Sequence, residues 1–282
     1  MELLRLKILA DRIKKLSRRW KLILGGGIIV IFLTVIFSWI ASSKIHDLED
    51  VIDSGRLVVV TDSSSIGFAV NKDSVYGFQY EIIKAFADSL GVELEISEQN
   101  DVQRSIEDLK NGEYDIVANL IPMTSDLKKG VLFSKTILSS RQVLVQRLAA
   151  DSLQPTPVRK QYELANDTIY IPYNSVYKMR IENLADEIAD SIHILEVKNV
   201  SVETMVRMVS LGRIKNTICS AQLAEKLKRQ YPNIDISLPI GFTQEHGWAL
   251  NMNSPELTAK LNDFLSDFVG SSAYWELYRK YY

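Results

Sequence analysis

The sequence predicts an α/β protein of two similar lobes behind one membrane-spanning helix, and three observations carry that prediction. Residues 22–41 read LILGGGIIVIFLTVIFSWIA, with no ionisable side chain over a length that crosses a bilayer as a helix. From Gly55 onward, strand and helix periodicities alternate as β-α-β-α-β. The same order then recurs between 168 and 219, which predicts two βαβαβ lobes.

Taken in order, residues 1–21 place Leu6, Leu9, Ile13, Leu16 and Trp20 on one helical face and cations on the others. That pattern predicts a basic amphipathic segment on an anionic inner leaflet. Arg5, Lys7, Arg12, Lys14, Lys15, Arg18, Arg19 and Lys21 all precede the apolar run, so the positive-inside rule keeps the N-terminus cytoplasmic and exports the chain from Ser42 onward. A cleaved signal peptide ending near Ala41-Ser42-Ser43 is the alternative, but the run exceeds the usual apolar length of such peptides. No cysteine lies near the end of the run to support a lipoprotein. Residues 42–55 read as a linker.

The formal net charge is −2, and the first 21 residues hold eight basic and two acidic side chains, so the remainder carries about −8. An acidic surface of that kind excludes nucleic acid as an expected partner. The single Cys219 excludes an intrachain disulfide and reads as a small core residue.

In the first lobe, 56–61 is a β-branched strand. Phe78, Ile82, Ile83, Phe86 and Leu90 come next at helical spacing until Gly91. Val92, Leu94 and Ile96 alternate as a strand, Val102, Ile106 and Leu109 mark a short helix, and 114–119 is a buried strand. In the second lobe the predicted elements are strand 168–171, helix 176–188, strand 192–197, helix 202–211 and strand 214–219. Extended segments 142–147 and 234–240 cross between lobes as a two-strand hinge. A strand at 247–250 and helices at 255–269 and 273–281 return to the first lobe. The expected organisation is therefore 56–141 with 241–282 for lobe 1, and 142–240 for lobe 2. Such folds gather ligands where the carboxyl ends of the strands converge, and close by hinge motion.

Three successive motifs resemble the family 3 extracellular solute-binding proteins. They are Gly77-Phe78-Gln79-Tyr80-Glu81-Ile82, Leu109-Lys110-Asn111-Gly112-Glu113-Tyr114-Asp115-Ile116, and 124–134, TSDLKKGVLFS. The resemblance runs from about Leu57 to Tyr281 and implies the periplasmic-binding-protein type 2 fold with a ligand cleft. Within it, Tyr80-Glu81, Phe86-Ala87-Asp88, Leu90-Gly91-Val92 and Asn111-Gly112 are similar to the N-terminal regulatory domain of membrane-bound lytic transglycosylases F. Those enzymes need a further catalytic domain, which a chain ending at Tyr282 is not expected to supply.

The departures from the family pattern matter as much. Amino-acid binders place an arginine where this chain has Leu127, and an aspartate where it has Ser220. Ser65 and Val102 stand at aromatic positions and Pro122 at a hydroxyl position, while Asp62, Phe68 and Thr124 remain. A buried zwitterion lacking both charge partners would leave two uncompensated charges, each costing several kcal/mol. The usual pose of a free α-amino acid is therefore not expected. Lys128 is an alternative cation, but a point charge lacks the arginine fork. Tyr173, Asn174 and Ser175 open a predicted helix and either offer donors to a ligand or merely cap that helix. With Asn119 at the end of a strand, the expected ligand-binding set is Asp62, Ser65, Phe68, Asn119, Thr124, Tyr173, Asn174, Ser175 and Ser220.

No catalytic, metal or cofactor site is expected, since His46, His193 and His246 are scattered and no nucleophile turn or metal-spacing motif occurs. Gly25-Gly26-Gly27 lies inside the apolar run and cannot be a phosphate loop. The expected protein is a binder, not an enzyme. It is anchored once in a bacterial inner membrane, with its binding domain in the periplasm, and takes a small polar ligand such as an amino-acid derivative, a peptide or a muropeptide. ABC-type import through a permease is the leading expectation. The alternative is a regulatory or sensing module in peptidoglycan metabolism, working with a cell-wall hydrolase. A pocket that has lost its ligand and serves as an interaction scaffold is the third.

Overall fold

The computed structural model describes residues 45–71, 74–148 and 156–282; the basic segment 1–21 and the apolar run 22–41 lie outside the described residues. Among the described residues no helix is long and apolar enough to cross a membrane. Residues 45–282 form one compact unit.

The first element corrects the expected linker: residues 48–54 are a helix, α1 (Leu48–Ser54). Asp47 and Asp50 form a reciprocal capping box at its start, and Val51 is fully buried. Asp47 also accepts from Leu257 N at 2.7 Å and so caps a second helix, while Ser254 Oγ donates to the His46 carbonyl at 2.6 Å. Val51 and both caps thus tie this segment to lobe 1.

Lobe 1 continues with β1 (Arg56–Thr61), the hairpin β2 (Ala69–Asn71) and β3 (Ser74–Tyr76), α2 (Phe78–Leu90), β4 (Glu93–Glu98), α3 (Val102–Lys110), β5 (Ile116–Pro122), β6 (Leu132–Phe133) and β7 (Leu138–Ser140). β1 lies parallel between β4 and β5, and its almost wholly apolar run matches a strand covered on both faces. α2 turns Phe78, Ile82, Ile83 and Phe86 inward and ends at Gly91, whose φ of 73° is the left-handed C-terminal geometry that glycine favours.

Lobe 2 contains β8 (Gln142–Arg147), β9 (Thr168–Pro172), α4 (Tyr177–Ile188), β10 (His193–Val197), α5 (Val202–Ser210), β11 (Asn216–Ser220), α6 (Ala221–Gln230) and β12 (Ile234–Asp235), in the sheet order β10-β9-β11-β8-β12. The segment expected as a connector, β8, is a buried strand of this sheet, antiparallel to β11. α6 has no counterpart among the elements expected from sequence; Leu223, Ala224 and Leu227 are its buried stripe among charged neighbours. The return strand is shorter than expected. β12 spans two residues, and Pro239, with no N–H to donate, joins Val143 only through an isolated bridge.

The chain re-enters lobe 1 through β13 (Gln244–Leu250), which runs antiparallel to β5, β6 and β7, and then forms α7 (Pro255–Phe268) and α8 (Ser272–Tyr281). The two crossings lie side by side: Leu144 N donates to the Leu238 carbonyl at 2.9 Å and Ile240 N to the Gln142 carbonyl at 2.8 Å. Arg141 and Gly241-Phe242-Thr243 stand between the two sheets, where a hinge between lobes belongs. Buried residues of both lobes, among them Phe78, Trp248, Val143 and Met205, join one connected apolar cluster.

Candidate functional site

The carboxyl ends of β1 and β5 in lobe 1 face those of β9 and β11 in lobe 2, and the cleft between them holds two chambers. The inner chamber has a volume of about 140 Å³, and the outer chamber about 490 Å³. Asn100, Pro172 and Val200 line both, so the chambers adjoin.

Asp62 enters the inner chamber from a tight loop after β1. Its carbonyl accepts from Phe68 N at 3.0 Å, and Ser64 Oγ donates to its carboxylate. A Cβ on Gly67 would lie 2.2 Å from the Asp62 carbonyl oxygen, so only glycine fits there. Burial pushes the Asp62 carboxyl above its ordinary value, and nearby Glu203 and Glu98 push the same way against the Ser64 hydrogen bond. Glu203, from the first turn of α5, is the facing carboxylate.

The lobes meet through polar contacts beside the chambers. Lys226 Nζ donates to Ser65 Oγ at 2.7 Å, and the Ser65 hydroxyl donates in turn to Glu203. Further out, Asn174 Nδ2 donates to Asp101 Oδ2 at 3.0 Å. Burial lowers the proton affinity of Lys226, partly offset by the Glu203 charge.

Three polar atoms of chamber-lining residues find no hydrogen-bond partner among the described residues: Asn119 Oδ1, Gln142 Oε1 and Ser175 Oγ. Asn119 is 5% exposed and Gln142 4%. His246 also lines the chamber, and burial lowers its pKa, which keeps it neutral at pH 7. No lysine or arginine among the described residues lines the inner chamber. Arg104 and Lys198 line the outer one, with Glu98 and Asp101.

The structure brings together four of the nine residues singled out in the sequence, Asp62, Asn119, Ser175 and Ser220, on the inner chamber. Ser220 also caps α6 through Leu223 N. Tyr173 lines the outer chamber, with Lys198 Nζ 4.8 Å from its ring centre. Ser65 and Asn174 make the contacts between lobes described above. Phe68 packs edge-on against Tyr80 at 5.5 Å, and Thr124 Oγ1 accepts from Leu127 N at 3.5 Å; neither lines a chamber. Neither Asn174 nor Ser175 caps α4, because Val176 holds the cap position without a side-chain bond. Leu127 packs against buried apolar residues and Lys128 lies outside the chambers, so Lys128 does not take an arginine's place.

Gln142, Glu203, His246 and Tyr282 are chamber-lining residues that the sequence does not single out. Gln142 lies in the segment expected as a connector, and Glu203 looks like an ordinary acidic first-turn residue. Tyr282 brings its ring against Phe78 at 5.3 Å and onto the inner chamber, and its carbonyl accepts from Arg229 of lobe 2.

A cleft between two α/β lobes joined by paired crossings defines a ligand-capturing architecture. The sequence model of the bacterial extracellular solute-binding proteins, family 3, matches residues 57–282, and the chain belongs to that family. Among curated relatives it is 26% identical over 261 residues to a membrane-bound lytic murein transglycosylase F of Desulfosudis oleivorans, covering 89% of this chain and 56% of the relative. A protein of the same name from Saccharophagus degradans is 26% identical over 83% of this chain and 45% of its own length. The chain thus spans about half the length of these relatives. Among solved structures, an ancestral arginine-binding protein bound to arginine superposes with a TM-score of 0.68 at 21% identity, over 81% of this chain and 98% of that one. The substrate-binding protein of an amino acid ABC transporter gives 0.67 at 23% identity, over 80% and 99%.

Proposed function

We propose that this chain is a membrane-anchored, externally facing binding module that captures a small polar ligand between its lobes and signals to cell-wall metabolism. The observation that carries the binding reading is the inner chamber, lined from both lobes by polar side chains beside Asp62, three of which keep an atom without a partner among the described residues. Polar groups buried without partners are costly to a fold, and a ligand that satisfies them offsets that cost. The anchor rests on the apolar run 22–41 and its basic flank, which favour a binding domain in the periplasm of a bacterial inner membrane.

The signalling role is supported by the relatives named membrane-bound lytic murein transglycosylase F, which match this chain over about half their own length at 26% identity. In this reading the chain binds and does not catalyse, and a muropeptide is the candidate ligand, with a wall hydrolase as partner. A second reading, capture for an ABC-type permease, is favoured by the likeness to a transporter's substrate-binding protein. The chamber volumes lean toward the first. About 140 Å³ accepts one small group, and the adjoining outer chamber offers room for an extended remainder.

The test is thermal melting of the full chain in detergent against amino acids, dipeptides and muropeptides. A ligand at 100 times its dissociation constant stabilises by about 2.7 kcal/mol. A shift with muropeptides alone is the expected result. A shift with free amino acids alone would favour import, and no shift with any of them would overturn capture.

A further inference from the structure

The inner chamber is asymmetric in charge. Asp62 and Glu203 bring two carboxyl groups to it, no lysine or arginine among the described residues lines it, Lys226 reaches Glu203 only through Ser65 beside it, and His246 adds no positive charge at pH 7. The remaining unused groups are neutral: the carboxamides of Asn119 and Gln142 and the hydroxyl of Ser175. A carboxylate entering here would lose its water, meet the Glu203 charge and find no cation on the chamber wall. Desolvating an unpaired charge costs several kcal/mol, and carboxylates side by side repel further. An ammonium or a primary amide meets the opposite situation, because the Asp62 and Glu203 carboxyl groups on the wall accept its N–H groups and an acidic lining favours positive charge.

We infer that the inner chamber receives an ammonium or an uncharged amide group and excludes a free carboxylate, so that the ligand is an amine or a carboxyl-amidated compound, or one whose carboxylate stays at the cleft mouth. This rests on the reading that the cleft binds a ligand at all, and it specifies which chemistry enters first. The volume agrees with one compact group: cavities of about 150 Å³ hold a benzene-sized molecule, and this one is about 140 Å³. A longer ligand extends past Asn100, Pro172 and Val200 into the outer chamber, where Arg104 and Lys198 supply the cations that the inner chamber lacks. Its orientation is thereby set, with the donor end inside and any carboxylate at the mouth.

The experiment compares matched pairs on the full chain in detergent by thermal melting and calorimetry. The pairs are amino acids with their C-terminal amides, and a muropeptide with and without amidated carboxyls. The expected result is that within any binding pair the amide binds at least tenfold more tightly than the free acid, and that Gln142→Leu weakens it at least tenfold without lowering the ligand-free melting temperature. Ser175→Ala serves as a second variant should Gln142→Leu fail to fold, with the same direction of effect. A free acid that binds as tightly as its amide would overturn this inference and leave capture standing. Silence from every pair would overturn capture itself.

Discussion

The two chambers of the cleft are neighbours with opposite rules. The inner one is small, walled by Ile66, Val102, Leu120 and Leu138 as well as its polar groups, and presents buried amides and carboxylates without a cation; the outer one is larger and carries charges of both signs. A hydrogen bond left unmade in the inner chamber costs about 1–3 kcal/mol. A charge pair at an exposed mouth is worth about 0–1 kcal/mol. The proposed capture therefore places selection inside, where burial makes errors expensive, and accommodation without discrimination at the mouth.

The largest effect on this contrast is expected at Gly67. Gly67→Ala forces a methyl to 2.2 Å from the Asp62 carbonyl oxygen, so the loop that delivers Asp62 must move. Overpacking of this kind costs about 3 kcal/mol. Thermal melting should show a drop of about 10 °C together with loss of any ligand-induced shift. Next in size is Asn119→Leu, which removes one unused amide from the inner wall. Affinity should fall about tenfold or more, corresponding to 1–3 kcal/mol for one buried hydrogen bond, with no loss of ligand-free stability. Calorimetry beside a denaturant melt checks both halves.

Asp62→Asn probes the inner chamber through pH. The folded protein raises the Asp62 pKa above its ordinary 3.8, chiefly by burial. Its favourable contribution to folding is therefore full below the ordinary value and is lost as pH rises through the raised one. The asparagine variant lacks that decline. It should melt higher than the wild type at pH 7, and the gap should close toward pH 4, while affinity for an ammonium ligand drops. The smallest effects belong to the mouth. Arg104→Ala and Lys198→Ala should each change affinity less than about fivefold, the upper end for exposed pairs, and that change should fade at high salt. A larger change there would move selection outward.

The repeated strand-helix order was legible because its apolar residues recur at clean periods, as in Phe78, Ile82, Ile83 and Phe86. α1 was hidden because its signal is a capping box of two aspartates in a polar stretch. α6 was hidden because a narrow apolar stripe sits among Glu225, Lys226, Lys228 and Arg229. In the site, Asp62 was legible from family likeness and Asn119 from a strand expected to end there, although β5 runs on to Pro122. Gln142 and Glu203 were not, because their place depends on a crossing strand and on the approach of the second lobe, which no local pattern encodes. Phe68 and Thr124 came from family likeness, and the structure gives them packing and loop roles.

Capture between moving lobes is tested most directly by a distance across the cleft. Glu107 on α3 and Asn183 on α4 are exposed, and the native Cys219 is fully buried, so Glu107→Cys with Asn183→Cys can be labelled selectively with nitroxides. Pulsed electron resonance on the full chain should give a distance distribution that narrows and shortens when a compound that raises the melting temperature is added. A distribution unchanged at saturation would contradict capture by lobe closure.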